Sequence, residues 1–209
     1  MSDEAKPWLK HWPKNVPKTI KYPTLPLHGL LEAAAQNYPK KVALVYGEQE
    51  ITYTQLEYTS NQFANALMKL GLKKGDRVAI FLPNIPQFII AYFGTLKAGG
   101  VVTAISPLHR EREIEYQLLD SGTQIIVTLD TLYPIVQNVR EKTPLKQVIL
   151  TELAEYSFPQ LLEGSSPDHP NIVFNPEEDL AALQYTGGTT GTAKGAMLTH
   201  SNLVSNALA

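Results

Sequence analysis

The residues between 183 and 200 are those whose types and spacing could do chemistry. They read LQYTGGTTGTAKGAMLTH, so that glycines, threonine hydroxyls and one lysine lie between two short apolar segments. Glycines let the backbone come close to a ligand, and successive backbone N–H groups in such a turn form a concave site for an anion. The hydroxyls add neutral donors, and the lysine adds a mobile positive charge that suits phosphate oxygens. This pattern predicts a loop that binds a polyphosphate.

The better-known nucleotide-binding loops do not account for this run. The pattern G-x-x-x-x-G-K-[ST] requires a lysine directly after a glycine and a helix afterwards, whereas Lys194 follows Ala193 and residues 196–199 are typical of a strand. No G-x-G-x-x-G is present, so the Rossmann and kinase interpretations fail as well. A flexible Gly/Thr linker is the alternative. A linker, however, would need neither the single lysine nor the apolar strands on both sides.

The elements that must position this loop predict an α/β fold: a layered, mainly parallel sheet with helices on both faces. Strand-like and helical runs alternate along the chain, as they do where crossover helices join parallel strands. The predicted strands are 42–46, 50–53, 77–82, 101–105, 124–129, 147–150, 180–185 and 196–199. The predicted helices are 28–36, 86–98, 110–120 and 132–142, with a last one beginning near residue 201.

Three local features complete the predicted layout. The strands 42–46 and 50–53 form a hairpin around residues 47–49. A long helix follows, with Thr54 and Glu57 as its capping box and Gly71 after its last turn. Residues 151–178 are rich in proline, glycine and serine, which predicts a long surface connection. We therefore divide the chain into an N-terminal arm, residues 1–26, and one α/β unit, residues 27–209.

Composition excludes several classes of function. The chain is 44% hydrophobic and 18% charged with a formal net charge of −2, which gives no reason to expect a nucleic-acid partner. It has no cysteine, and its five histidines are scattered without the spacing of a metal site. The start lacks the layout of a signal peptide, and the longest apolar stretch, 88–96, is too short to span a bilayer. We expect a cytoplasmic protein.

Two basic or ionisable features have both a functional and a structural interpretation. In the arm, lysines recur every four residues from Lys6 to Lys18 with Trp8 and Trp12 among them, which would suit contact with an anionic membrane surface. Prolines make a continuous helix there improbable, so we favour an extended arm packed on the protein, with at most peripheral membrane contact. His200 ends the loop motif and could approach a nucleotide. A packing or helix-capping role is favoured for it.

Residues 185–195 resemble the signature of the adenylate-forming acyl-CoA synthetases, whose general pattern is T-S-G-[ST]-T-G-x-P-K-G. The chain departs at Gly187, where serine is common, and at Ala193, where proline is common. Both departures resemble the long-chain fatty acyl-CoA synthetase branch of that superfamily. Further blocks are similar to that branch in the same order, namely Trp8-Leu9, Val16-Pro17, KGDRVA at 74–79, LPN at 82–84, AGG at 98–100, PL at 107–108, EIEYQL at 113–118 and DSG at 120–122.

The resemblance implies a long-chain fatty acid–CoA ligase. Such an enzyme uses ATP and a fatty acid to make an acyl-adenylate and pyrophosphate, and coenzyme A then attacks to give the thioester and AMP. The substrates implied are thus a long-chain fatty acid, ATP and coenzyme A, with Mg²⁺ bridging the phosphates. Aryl or medium-chain acids remain alternative substrates, because the residues that set chain length would lie mostly outside this sequence.

The resemblance also implies which residues bind ATP. Backbone N–H groups and hydroxyls of the loop, together with one ammonium, would hold the β- and γ-phosphates and stabilise the departing pyrophosphate. We assign this binding to Thr186, Gly187, Gly188, Thr189, Thr190, Gly191, Thr192 and Lys194. Lys194 is the candidate catalytic residue, and the Thr186 hydroxyl is the candidate ligand near the metal.

The length of the chain bears on what it could do alone. Members of the family are more than twice as long as these 209 residues, so we expect an incomplete N-terminal AMP-binding domain that ends just after the phosphate loop. Such a fragment would be inactive by itself and would need a complementary C-terminal chain. The alternative from another class is a non-catalytic nucleotide-binding or interaction module.

Overall fold

Eight strands and seven α-helices make up the part of the chain that the computed structural model describes, residues 6–152, 157–186 and 193–209. The strands are β1 (Val42–Tyr46), β2 (Gln49–Thr52), β3 (Arg77–Phe81), β4 (Val101–Ala104), β5 (Ile125–Thr128), β6 (Gln147–Leu150), β7 (Leu180–Thr186) and β8 (Lys194–Thr199). The helices are α1 (His28–Asn37), α2 (Tyr53–Lys69), α3 (Pro86–Lys97), α4 (Glu111–Ser121), α5 (Tyr133–Arg140), α6 (Phe158–Glu163) and α7 (His200–Leu208).

The main sheet contains six strands in the order β6-β5-β3-β4-β7-β8, and β1 pairs with β2 in a separate antiparallel hairpin. All neighbours in the main sheet are parallel except β7 and β8, which are antiparallel. The carboxyl ends of β3 to β7 therefore lie at one edge of the sheet, where open α/β sheets bind their ligands. The predicted mainly parallel sheet is confirmed.

Helices cover both faces of this sheet, as predicted, because its central strands are apolar on both sides. On one face, residues of α1, α2, α3 and α6 pack on Val78, Ile80 and Val127 in one buried cluster. On the other face, residues of α4 and α5 pack on Phe81 and Ile126 in a second cluster. The core thus consists of two layers separated by the sheet.

The start of α2 differs from the prediction. The capping box consists of Thr52 and Gln55 rather than Thr54 and Glu57: the Thr52 hydroxyl accepts from the Gln55 N–H at 3.3 Å, and the Gln55 side chain accepts from the Thr52 N–H at 2.8 Å. A box with glutamine at its third helical position is as sound physically. Glu57 instead accepts a hydrogen bond from the Lys97 ammonium at 2.7 Å.

The connection after β6 lies mostly at the surface, as predicted, since most of its described residues are exposed, but the prediction missed a short helix. It contains α6, whose Phe158 is buried and stacks on Phe63 of α2 with ring centroids 4.8 Å apart. Gln62 donates to the Leu162 carbonyl at 2.8 Å, and Asn65 donates to the Asp168 carbonyl at 2.7 Å. The connection is therefore packed against α2 between residues 158 and 168.

The N-terminal arm is exposed, and no described residue before His28 is buried. A short 3₁₀ helix, Pro7–His11, lies within it, and the side-chain N–H of Trp12 donates to the Val16 carbonyl at 2.9 Å. None of the helices in the described ranges combines the length and apolar character that crossing a membrane requires.

Candidate phosphate-binding hairpin

The strands β7 and β8 form the two stems of the predicted phosphate loop. Thr186 pairs with Lys194 and Tyr185 pairs with Gly195 in an antiparallel register. Because β7 runs parallel to β4, its end and the beginning of β8 lie at the carboxyl edge of the sheet. Thr186 and Lys194 are both exposed there. The hairpin thus places a hydroxyl and an ammonium side by side at the edge of the sheet where open α/β sheets bind their ligands.

Six of the eight predicted binding residues lie outside the described residues. They are Gly187, Gly188, Thr189, Thr190, Gly191 and Thr192. The other two, Thr186 and Lys194, flank these six in the chain and are brought together as register partners. The assignment of the six to phosphate binding stays a prediction.

Two tyrosines attach the stems of the hairpin to α4. The Tyr185 hydroxyl donates to Oδ2 of Asp120, and the Tyr116 hydroxyl donates to the carbonyl of Ala193 at 2.9 Å. Tyr116 and Asp120 lie one turn apart on the same face of α4. Helix α4 therefore fixes the last residues before the loop and the first residue after it.

Helix α4 is itself held firmly against the sheet. The Gln117 side-chain amide donates to the Thr103 hydroxyl at 2.8 Å and to the Ala104 carbonyl at 2.9 Å, both in β4. Arg77 of β3 donates through Nε to the Ser121 carbonyl at 2.6 Å. The tyrosine contacts thus connect the hairpin to the rigid centre of the fold.

Gly195 suits the close approach of the Tyr185 ring. A Cβ at this position would lie 3.0 Å from the ring, so the ring would have to move by a few tenths of an ångström. The glycine thus lets Tyr185 lie across the partner strand and reach Asp120 without that shift. Burial and the hydrogen bond to Asp120 raise the pKa of Tyr185 well above its usual value, so its hydroxyl keeps its proton.

His200 has a packing role, as favoured from the sequence. It is buried at the start of α7, and its Nδ1 accepts a hydrogen bond from the Leu27 N–H at 3.0 Å. Its ring meets that of Phe174 edge to face at 5.3 Å. Burial lowers the pKa of His200 to about 4, against the opposing effect of Asp179. The neutral ring therefore joins α7 to the start of α1.

The sequence prediction did not assign Tyr116, Asp120 or Tyr185 to this site, although each lies in a block that resembles the family. Tyr116 and Asp120 also have the i, i+4 spacing of one helix face. Their contacts with the hairpin cross 77 and 65 positions of the chain. No local pattern encodes such long-range pairing.

The fold is that of the N-terminal part of the adenylate-forming enzymes, and the chain belongs to the AMP-binding enzyme family, whose sequence model matches residues 31–209. It is 35% identical over 96% of its length to the long-chain-fatty-acid–CoA ligase of Bacillus subtilis and spans 41% of that relative. A 4-coumarate–CoA ligase of Solanum tuberosum is 31% identical over 87% of the chain, which covers 34% of it.

Comparison with solved structures agrees with the family assignment. A long-chain-fatty-acid–CoA ligase from Archaeoglobus fulgidus superimposes with a TM-score of 0.84 at 28% identity. The superposition covers 91% of this chain and 39% of that one. The chain therefore spans about two fifths of the length of the ligases that it matches.

Proposed function

We propose that the chain is the N-terminal part of a long-chain fatty acid–CoA ligase and supplies the element that grips the phosphates of ATP. The observation that carries the proposal is the hairpin, which places Thr186 and Lys194 together at the carboxyl edge of the sheet. The similarity to the Bacillus subtilis ligase supports the long-chain assignment.

The role that we assign to the hairpin is electrostatic. When the carboxylate of a fatty acid attacks the α-phosphorus of ATP, pyrophosphate leaves and negative charge grows on it. Lys194 would neutralise that charge, and the backbone N–H groups of the loop would orient the β- and γ-phosphates. Tyr116 and Asp120 would hold the two stems still, so that these donors need no rearrangement during the reaction.

Mg²⁺ fits the Thr186 hydroxyl as one ligand among several. Thr186 is exposed at the end of β7, and its oxygen is a hard donor of the kind that Mg²⁺ prefers. A single neutral hydroxyl would not hold the ion alone, so phosphate oxygens and water would complete the coordination. The ion would supply charge neutralisation on the phosphates.

The reaction also requires coenzyme A, whose thiol would attack the acyl-adenylate to give the thioester and AMP. The acyl pocket, the adenine pocket and the groups for thioester formation are expected outside these residues. We therefore expect the 209-residue chain alone to bind ATP poorly and to make no acyl-CoA. Its outer strand β8 exposes Met197, which favours association with a complementary chain or self-association.

For localisation we propose a cytoplasmic protein with at most peripheral contact to a membrane. The exposed Trp8 and Trp12 of the arm and its lysines would supply that contact, since this pair of residue types suits an anionic interface. Liposome co-sedimentation with and without anionic lipid tests the contact, and equal sedimentation in both contradicts it.

The activity is tested in a completed enzyme, made by joining this chain to the C-terminal remainder of the Bacillus subtilis ligase. Exchange of labelled pyrophosphate into ATP should depend on long-chain fatty acids. Exchange that responds only to aryl acids would instead support the second candidate, an aryl-CoA ligase, which the similarity to the Solanum tuberosum enzyme favours. ATP binding by a folded completed enzyme without any exchange would support a non-catalytic nucleotide-binding module.

The role of the hairpin is tested by Lys194→Ala in the same enzyme. A charged hydrogen bond to phosphate is worth about 1.5–3 kcal/mol, so kcat/KM for adenylation should fall roughly ten- to hundredfold. Lys142→Ala, which removes a lysine from an exposed ion pair with Glu115, is the matched control and should leave adenylation unchanged. An unchanged rate in Lys194→Ala would contradict the assigned role.

A further inference from the structure

Three side chains that commonly bind metal ions meet away from the hairpin, although the histidines are scattered in the sequence. His28 and Glu32 lie one turn apart on α1, and His169 belongs to the connection between α6 and β7. Nε2 of His28 is 3.7 Å from Oε1 of Glu32, and Nε2 of His169 is 2.8 Å from the same oxygen. The sequence spacing gave no signal for this cluster, because His169 is 137 positions away from Glu32 in the chain.

The spacing of the donor atoms suits a single ion. One donor from each of the three residues lies within 4.8 Å of the other two. Ligand atoms around a tetrahedral Zn²⁺ ion lie roughly 3.4 Å apart, given bonds of about 2.0–2.2 Å. Small side-chain rotations would therefore bring all three donors to bonding distance.

Burial makes His28 a suitable ligand. Its side chain is only 2% exposed, and its Nδ1 has no hydrogen-bond partner among the described residues. Glu32 and His169 are 29% and 40% exposed, which leaves an entry path from solvent.

Lys97 is the group that opposes a cation here, and a second carboxylate offsets it. Its buried ammonium is 2.7 Å from Oε1 of Glu57 but 3.4 Å from Oε1 of Glu32. Glu57 is thus its closer partner. Two carboxylates against one ammonium leave one surplus negative charge, which favours a further cation at Glu32.

We propose that His28, Glu32 and His169 bind one Zn²⁺ ion, with water as the fourth ligand. Two imidazole nitrogens and one carboxylate oxygen, without thiolate, are a ligand set that zinc accepts. The ion would join α1 to the connection before β7. This site is independent of the proposed ligase function, because none of its ligands belongs to the hairpin.

The experiment uses the metal-free 209-residue chain at low micromolar concentration, with Zn²⁺ and Co²⁺ as probes. We expect equilibrium dialysis to show one tightly bound Zn²⁺ per chain. Co²⁺ should give the intense visible absorption of a tetrahedral site, and Zn²⁺ should remove it. Zn²⁺ should also raise the melting temperature.

Variants identify the ligands. His169→Ala and Glu32→Gln change partly exposed side chains, so they should keep the far-UV circular dichroism of the parent while the Zn²⁺ affinity falls at least about tenfold, since even outer-shell partners of metal ligands matter that much. His11→Ala, in the exposed arm, is the matched control and should bind as the parent does. The proposal is overturned if the parent binds Zn²⁺ no more tightly than His169→Ala, or if Co²⁺ shows only the weak absorption of an octahedral ion.

Discussion

Lys97 offers the sharpest test of how the helices on one face of the sheet are held together. Its side chain is fully buried at the end of α3, and its ammonium contacts Glu57 of α2 and Glu32 of α1. One cation thus links three helices. Lys97→Met keeps the length and apolar stem of the side chain but removes the charge, leaving two carboxylates without their common partner.

The loss of stability in Lys97→Met depends on the balance between the attraction of the opposite charges and the free energy needed to desolvate them. At an effective dielectric constant of about 20, opposite unit charges separated by the 2.7 Å between Lys97 and Glu57 attract by about 6 kcal/mol. Desolvation offsets much of this, and removing one partner of a buried pair typically costs about 3–5 kcal/mol. Glu57 and Glu32 remain 19% and 29% exposed, so water can partly solvate them once they are unpaired. We therefore expect Lys97→Met to lower the free energy of unfolding by about 3 kcal/mol, the lower end of that range. The melting temperature should fall by roughly 6–12 °C.

Urea unfolding followed by circular dichroism measures this loss, at low micromolar concentration and with a chelator present. Lys142→Met is the matched control. The pair of Lys142 with Glu115 spans 3.7 Å, and the two side chains are 63% and 33% exposed, so its loss should lower the free energy of unfolding by less than about 1 kcal/mol. Glu57→Gln should lower the free energy of unfolding less in the Lys97→Met variant than in the parent chain. In the variant it removes a carboxylate that has already lost its partner. A Lys97→Met variant as stable as the Lys142→Met control would refute the reasoning.

Two further predictions concern packing and pH. Gly94→Ala should destabilise the chain by about 1–3 kcal/mol, because a Cβ there would lie 2.8 Å from the Phe63 ring and 2.9 Å from the Ser60 carbonyl. Gly29→Ala, whose new methyl group meets a flexible leucine side chain at 3.1 Å, should cost much less in the same urea titration. The pKa of His200 is lowered to about 4 in the folded state, so its side chain binds more protons in the unfolded chain between pH 4 and the unfolded pKa of about 6.5. This residue alone should lower the free energy of unfolding by about 2 kcal/mol from pH 7 to pH 5. His200→Asn should reduce that dependence on pH, and an equal dependence in both proteins would contradict the assignment.

The sequence predicts most elements of this fold because their patterns are local. The strands 77–81, 101–104 and 125–128 are short apolar runs, and each was predicted to within one residue at either end. The stems of the loop were predicted at 180–185 and 196–199 for the same reason, and the structure has them at 180–186 and 194–199. The local pattern gave a wrong prediction at the start of α2, where Thr52 with Gln55 and Thr54 with Glu57 both have the spacing of a capping box.

The parts that could not be predicted depend on contacts between distant residues. Helix α6 is six residues long and is stabilised mainly by Phe158 against Phe63, so its own sequence shows little periodicity. Asp120 reads as an ordinary surface residue until Tyr185 is placed beside it. The cluster at His28 likewise requires His169, which no spacing rule connects with it.

The contacts that hold α1 also determine when this helix can become stable during synthesis. Glu32 is joined to His169 across 137 positions, and Leu27 to His200 across 173. A ribosome that adds about 5–20 residues per second needs roughly 9–35 seconds to cover the longer separation. A helix of ten residues is marginal in water without such partners. Helix α1 can therefore meet α2 and α3 early, through Leu31 and the pair between Glu32 and Lys97, whereas its contacts with His169 and His200 form only after those residues have been made.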